Sequence, residues 1–267
     1  MSWFGSRIIE LETCASTNDE AARLARAGAQ HGTIVIARAQ TAGRGREGRA
    51  WASPPDTGLY FSAILRPALP LALVPPLTLA IGIGACDAVR AHGAPAVLKW
   101  PNDLLVAPAE RVRDRPVTDP GRGGNDRPRK LGGVLVEAHS QGARLESVIV
   151  GIGINLAPLP PEHADVAETA ISLAEAAAPR LVDRAAFIAS LLAHVGTWID
   201  RYVAAGLPLV IPAWHERMAK GLTARVTVDG EARTGIVTGL DADGSLLLCD
   251  EAGALHRVRS GDVQVVR

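Results

Sequence analysis

Two short apolar runs, residues 33–38 (Thr-Ile-Val-Ile-Ala-Arg) and 59–65 (Leu-Tyr-Phe-Ser-Ala-Ile-Leu), bracket a polar loop in which glycine and arginine alternate. Runs this short, β-branched and aromatic predict two strands. The loop between them, residues 40–51, reads Gln-Thr-Ala-Gly-Arg-Gly-Arg-Glu-Gly-Arg-Ala-Trp. Gly43, Gly45 and Gly48 free the backbone to take positive φ, while Arg44, Arg46 and Arg49 place guanidinium forks at close spacing. A loop of this kind, positioned by a sheet, is an anion trap of the sort on which ligand chemistry concentrates. No Gly-Lys-Ser/Thr follows it, and it lacks the spacing and following helix of a dinucleotide-binding turn, so anion binding has to come from the arginines. The competing reading is a disordered Gly/Arg tract that binds RNA; such tracts run longer and lack flanking strands.

The remaining segments arrange themselves around that loop. Residues 7–12 predict a strand, followed by Ser16-Thr17-Asn18 and an Ala/Leu/Arg-rich helix ending near Gly28. Thr17 and Glu20 fit a capping box, and hydroxyls at a helix N-terminus also suit a polar ligand. Residues 76–91 predict an apolar helix with proline near its start, and 96–106 two short strands joined through Pro101-Asn102-Asp103, which brings Lys99 and Asp103 to one sheet end. Residues 107–129, rich in Pro, Arg, Gly and Asp, predict a mobile surface insertion. Lys130 opens an antiparallel pair over 130–137 and 145–156, in which Gly132, Gly133, Gly151 and Gly153 remove side chains where something comes close. Helices are predicted over 171–178, 183–205 and 208–219, with Leu191, Val195, Trp198 and Tyr202 as a buried stripe. From Gly221 the pattern changes to short strands (222–228, 232–240, 245–248, 255–259 and 263–266) separated by Asp229-Gly230, Asp243-Gly244 and Gly261. That is a small β-barrel, with domains of 1–220 and 221–267.

Composition narrows the function classes. The 267 residues are 48 % hydrophobic, enough for a substantial core. Lys+Arg and Asp+Glu are 28 each, which argues against a large footprint for duplex DNA. Cys14, Cys86 and Cys249 lie far apart with no ligand spacing, so neither a disulfide framework nor a zinc site is expected and the compartment is a reducing one. No leader pattern opens the chain, and the apolar stretch 69–89 is broken by Pro70, Pro75 and Pro76, so a buried helix is expected there rather than a membrane span, and the cytoplasm as location. Before residue 7 there is no room for a helix-turn-helix, and DNA binding is not expected.

Four separated stretches converge: Ser16-Thr17-Asn18; residues 40–51; Lys99-Trp-Pro-Asn-Asp-Leu104 with Lys130-Leu-Gly-Gly-Val-Leu-Val-Glu137; and Gly151-Ile-Gly-Ile-Asn155. Together they resemble biotin protein ligases of the monofunctional type, without an N-terminal DNA-binding domain. The resemblance implies an α+β fold: a class II aminoacyl-tRNA-synthetase-like catalytic domain, with a mixed sheet and helices, and an SH3-like C-terminal domain. It implies activation of biotin by Mg-ATP to biotinyl-5′-adenylate, then transfer to one lysine of a biotin carboxyl carrier domain, typically of acetyl-CoA carboxylase. On the matched positions it implies Lys130, Arg46 and Arg49 as catalytic residues, Lys130 foremost. Ser16, Thr17, Gln40, Gly43, Arg44, Arg46, Lys130, Gly132 and Gly133 would bind biotin. Arg46, Arg49, Trp51, Asn102 and Asn155 would bind the adenylate, and Asp103 would contact Mg²⁺. Monomer and homodimer both stay open, as does the identity of the carboxylase. A lipoate or octanoyl ligase or transferase, which shares the catalytic fold, is the enzymatic alternative; the arginine loop and Lys99–Asp103 favour biotin.

Overall fold

The computed structural model describes residues 3–107, 128–228, 231–261 and 263–266. The larger sheet contains β1 (Arg7–Cys14), β2 (Thr33–Gln40), β3 (Gly58–Leu65), β4 (Ala96–Lys99), β5 (Asp103–Val106), β6 (Arg129–Gln141) and β7 (Arg144–Asn155), in the order β1-β2-β3-β7-β6-β5-β4. β1 and β2 run parallel across helix α1 (Thr17–Arg26), and the other neighbours are antiparallel. The sheet is therefore mixed, as expected for the α+β class.

Side-chain alternation divides the sheet between two helical layers. In β7, Val148, Val150, Ile152 and Ile154 join the main core with α2 (Val74–Ala91) and α5 (Arg184–Ala205), whereas Ile149 points the other way onto Ala21, Ala22 and Ala25 of α1. Two short helices, α3 (Ala164–Ala167) and α4 (Leu173–Ala176), precede α5, and α6 (Leu207–His215) follows it. The stripe Leu191, Val195, Trp198 and Tyr202 is buried, as its spacing predicts. α2 and α5 approach closely at Gly84, where a Cβ would stand 2.7 Å from Val195 Cα. Residues Leu71–Ala91 are long and apolar enough to cross a membrane, yet 67 % of that window is buried inside the protein.

The second sheet is antiparallel, with β8 (Thr223–Val228), β9 (Glu231–Leu240), β10 (Leu246–Cys249), β11 (Leu255–Val258) and β12 (Gln264–Val265) in the order β11-β10-β9-β8-β12. It is tied to the first unit by hydrogen bonds as well as by a continuous core: Trp100 Nε1 donates to Gly244 O at 3.0 Å, and Leu240 N donates to His215 Nε2 at 2.7 Å. All three cysteines are free.

Three local expectations are corrected. Thr17 and Glu20 do not form a capping box: Ser16 is the N-cap, with no side-chain cap bond, and Thr17 N is satisfied by Gln40 instead. A capping box forms at Ser172 and Glu175, at the start of α4, which is four residues long rather than the predicted eight. The helix expected over 208–219 stops at His215, because the next residues add to the sheet edge, with Leu98 N bonded to Arg217 O at 2.8 Å and Ala219 N to Leu98 O at 2.9 Å. The insertion expected at 107–129 falls almost wholly on residues 108–127, outside the described residues.

Candidate active site

The site lies on the α1 face of the sheet, where β7 presents bare backbone. A Cβ on Gly151 would stand 2.3 Å from Asn18 Oδ1, and one on Gly153 would stand 2.7 Å from the Trp51 ring. Helix α1 and the glycine-arginine loop can therefore sit directly on the strand, and a cavity of about 120 Å³ remains between them. Ser16, Thr17, Asn18, Gln40, Arg44, Arg46, Arg49, Trp51, Lys99, Asn102, Asp103, Lys130 and Gly133 are among its lining residues.

One wall is a hydroxyl and amide network. Gln40 Oε1 accepts from Thr17 N at 2.8 Å and from Thr17 Oγ1 at 3.1 Å, and Gln40 Nε2 donates to Ser53 Oγ at 2.8 Å. Gln40 thus closes the N-terminus of α1, where the first amides have no intrahelical partner. Buried Ser62 Oγ lies 2.8 Å from Thr17 Oγ1 and donates to Asn18 Oδ1 at 2.6 Å.

The same lining holds a charge triangle. Lys130 Nζ is 2.6 Å from Asp103 Oδ1, and Lys99 Nζ is 2.9 Å from Asp103 Oδ2. Burial pushes the Asp103 carboxyl up, but the charges of Lys99 and Lys130 outweigh it and hold it below the ordinary carboxylate range. Lys130 Nζ also sits 5.4 Å from the centroid of the Trp51 ring, a cation–π distance. The Trp51 indole N–H is buried without a hydrogen-bond partner among the described residues. With five cationic side chains against Glu47 and Asp103, the lining favours an anion.

Three expected residues lie outside this lining. Gly43 is a packing site, since a Cβ there would stand 2.5 Å from Trp51 O. Gly132 faces the other side of the sheet, against Ile154. Asn155 is buried, donates to Lys130 O and Ile171 O at 3.3 Å each, and lines a separate cavity of about 70 Å³ beside Ser172 and Glu175. An Mg²⁺ ion held by Asp103 does not fit this geometry, because both carboxylate oxygens already face ammonium groups. The described residues contain no group of three or more His, Cys, Asp or Glu placed to hold a metal.

The lining also includes Tyr60, Phe61, Leu135 and Ile152, which the strand assignments alone did not single out. Glu137 lies just beyond it and bonds Asn18 and Arg44, both of which line the cavity. Its signal was available in the two-residue period that puts Gly133, Leu135 and Glu137 on one face of β6. Next to the cavity, a groove of about 460 Å³ shares Arg46, Pro101, Val134 and Leu135 with it and extends to Gly244 and Arg259 of the second sheet.

Residues 11–155 match the biotin/lipoate A/B protein ligase family, and residues 224–266 match the biotin protein ligase C terminal domain. The bifunctional ligase/repressor BirA of Bacillus subtilis is 31 % identical over 264 residues, covering 98 % of this chain and 74 % of the relative. A biotin--[acetyl-CoA-carboxylase] ligase of Paracoccus denitrificans is 30 % identical over 243 residues, 89 % of this chain and 92 % of the relative. Among solved structures, the biotin protein ligase from Aquifex aeolicus in complex with biotin and ATP superposes with a TM-score of 0.75 at 26 % identity, covering 98 % of this chain and 99 % of that one.

Proposed function

Since the chain belongs to the biotin/lipoate A/B protein ligase family, we propose that it is an ATP-dependent biotin protein ligase acting on a biotin carboxyl carrier domain. The observation that carries this reading is that the Lys130–Asp103–Lys99 triangle and the arginines of the loop line one anion-favouring cavity. In the first half-reaction a biotin carboxylate oxygen bonds to the α-phosphorus of ATP as the bond to diphosphate breaks. Two anions meet there, and fixed cations offset their repulsion without rearranging during the step. Lys130 takes that role at the reacting junction, with Arg46 and Arg49 on the phosphate side. Mg²⁺ is assigned to the nucleotide phosphates, as part of the substrate, because phosphates and water usually supply most of its ligands.

In the second half-reaction a neutral carrier lysine attacks the acyl carbon, AMP leaves, and the amine gives up a proton. The mixed anhydride must be kept from water until then, so the glycine-arginine loop closes over it. Ser16, Thr17 and Gln40 line the ureido end of the biotin pocket in this reading, Gly133 allows close backbone approach, and Trp51 and Asn102 belong to the adenylate side. The division at residue 220 into catalytic and C-terminal domains, and a place in the cytoplasm, go with the same proposal.

The test is to incubate the protein with labelled biotin, Mg-ATP and a purified carrier domain, in parallel with Lys130→Ala and with octanoate in place of biotin. Covalent biotin on the carrier, lost in the variant, is the expected result. Transfer of octanoate alone would assign the chain to the lipoate branch, and transfer of neither would end the ligase reading.

A further inference from the structure

The arginines of the loop have different surroundings, and Arg49 lies 3.5 Å from Glu47 Oε2. Arg44 is clamped between two carboxylates, with its guanidinium 2.7 Å from Asp19 Oδ1 and 3.3 Å from Glu137 Oε1. The Arg46 guanidinium makes no hydrogen bond or ion pair among the described residues, and it lines both the cavity and the adjoining groove. Glu137 itself lies outside the cavity lining and touches it through two neighbours. Its Oε2 accepts from Asn18 Nδ2 at 2.6 Å, while Asn18 Oδ1 takes the Ser62 hydroxyl at 2.6 Å and sits on the bare backbone of Gly151. The Asn18 amide is therefore fixed in orientation as well as in place, being 4 % exposed.

We propose that Glu137 is a positioning residue that sorts the loop arginines: with Asp19 it engages Arg44, expected from the sequence to bind biotin, as the fastening of the loop to α1, which leaves Arg46 to meet the substrate anion. This rests on the ligase reading for the identity of the anion and on the geometry alone for the fastening. A loop carrying three equivalent arginines would bind a carboxylate in several registers. Neutralising one of them against the protein leaves fewer wrong registers, in the way that specificity is raised by disfavouring alternatives.

The test compares the parent with Glu137→Gln, which keeps an acceptor for Asn18 but removes one of the two charges that hold Arg44. The KM for biotin and the dissociation rate of biotinyl-adenylate should both rise, roughly three- to tenfold, the scale of a partly exposed ion pair within a network. The kcat for adenylation should stay within about twofold of the parent, because Lys130, the fixed cation at the reacting junction, is untouched. The difference should shrink as KCl is raised, since the pair is screened. Adding Arg44→Gln to Glu137→Gln should raise both the KM and the dissociation rate further, because it also breaks the 2.7 Å pair with Asp19. A ligand-independent readout accompanies these: trypsin should cut within residues 44–49 faster in Glu137→Gln than in the parent at unchanged melting temperature. Equal cutting rates, or a fall in kcat that follows a fall in melting temperature, would overturn the proposal. A parent that cuts slowly but makes no adenylate would sink the ligase reading and leave the fastening standing.

Discussion

The two charged walls of the cavity are built differently. The lysine wall is held by its pairing: the side chains of Lys99 and Asp103 are each 13 % exposed, and Lys130, at 37 %, shares the Asp103 carboxylate with Lys99. The loop wall is open, with the Arg44 side chain 40 % exposed and that of Arg49 56 %. A buried charge acts through a low effective dielectric and cannot reorient cheaply, whereas an exposed one is screened and held weakly. In the proposed mechanism the Asp103 pairs fix the lysine wall before substrate arrives, and Arg46 completes the loop wall on the substrate. Rate and retention should accordingly separate between the two walls.

The largest expected effect tests the fixed wall. Lys130→Ala should lower kcat/KM for biotinyl-adenylate formation by about 10²–10³, the usual consequence of losing one fixed transition-state donor. Biotin affinity, measured by calorimetry, should fall much less. Matching losses in the two quantities would mean that Lys130 serves binding rather than chemistry, and the contrast between the walls would fail.

Asp103→Asn comes next and is read as stability. It leaves two ammonium groups facing a neutral amide, and loss of one partner of a buried pair costs about 3 kcal/mol. The native carboxyl sits below its ordinary value, so its ionised form stabilises the fold fully above that value, and the contribution is lost as pH falls through the lowered one. The parent should therefore melt well above the variant at neutral pH, and the gap should close below about pH 4. A gap independent of pH would show that the carboxylate charge is not what matters.

For the loop wall, Arg46→Gly should act on retention. The adenylate should dissociate roughly tenfold faster and label lysines indiscriminately, with adenylation itself reduced less than in Lys130→Ala. An off-rate equal to the parent's would erase the proposed division of labour.

How much of this was legible in the sequence follows from the range of each signal. Strands β2, β3, β6 and β7 were readable because alternation and short apolar runs are local, and the stripe of α5 because its period is. The partners of Gln40 and Asp103 were not, since a hydrogen bond across 23 residues or an ion pair across 27 is fixed by sheet order, which no local pattern contains. The capping box was misplaced for a related reason: Thr17 and Glu20 satisfied the motif, but Gln40 reached the same amide first. The glycines of β7 were seen as places of close approach without the approaching groups. Those proved to be Asn18 and Trp51, on two elements distant in the chain.

The smallest expected effect asks what braces the fixed wall. Trp100 stands between Lys99 and the turn to Asp103, is 5 % exposed, and donates its indole N–H to Gly244 O, on the β9–β10 hairpin of the second sheet. That hairpin is itself closed by Gly244 N to Asp241 O at 2.9 Å and by Arg257 ion pairs to Asp241 and Asp243. Trp100→Phe keeps an aromatic ring but leaves a buried carbonyl without its donor, a loss of about 1–2 kcal/mol. If the C-terminal sheet holds the lysine wall in register, adenylation should slow a few-fold while adenylate dissociation stays at the parental rate, because the loop has no part in this contact. A variant that leaks adenylate without slowing adenylation would place the brace on the loop side instead. The C-terminal sheet would then act on retention, and the lysine wall would owe its rigidity to the Asp103 pairs alone.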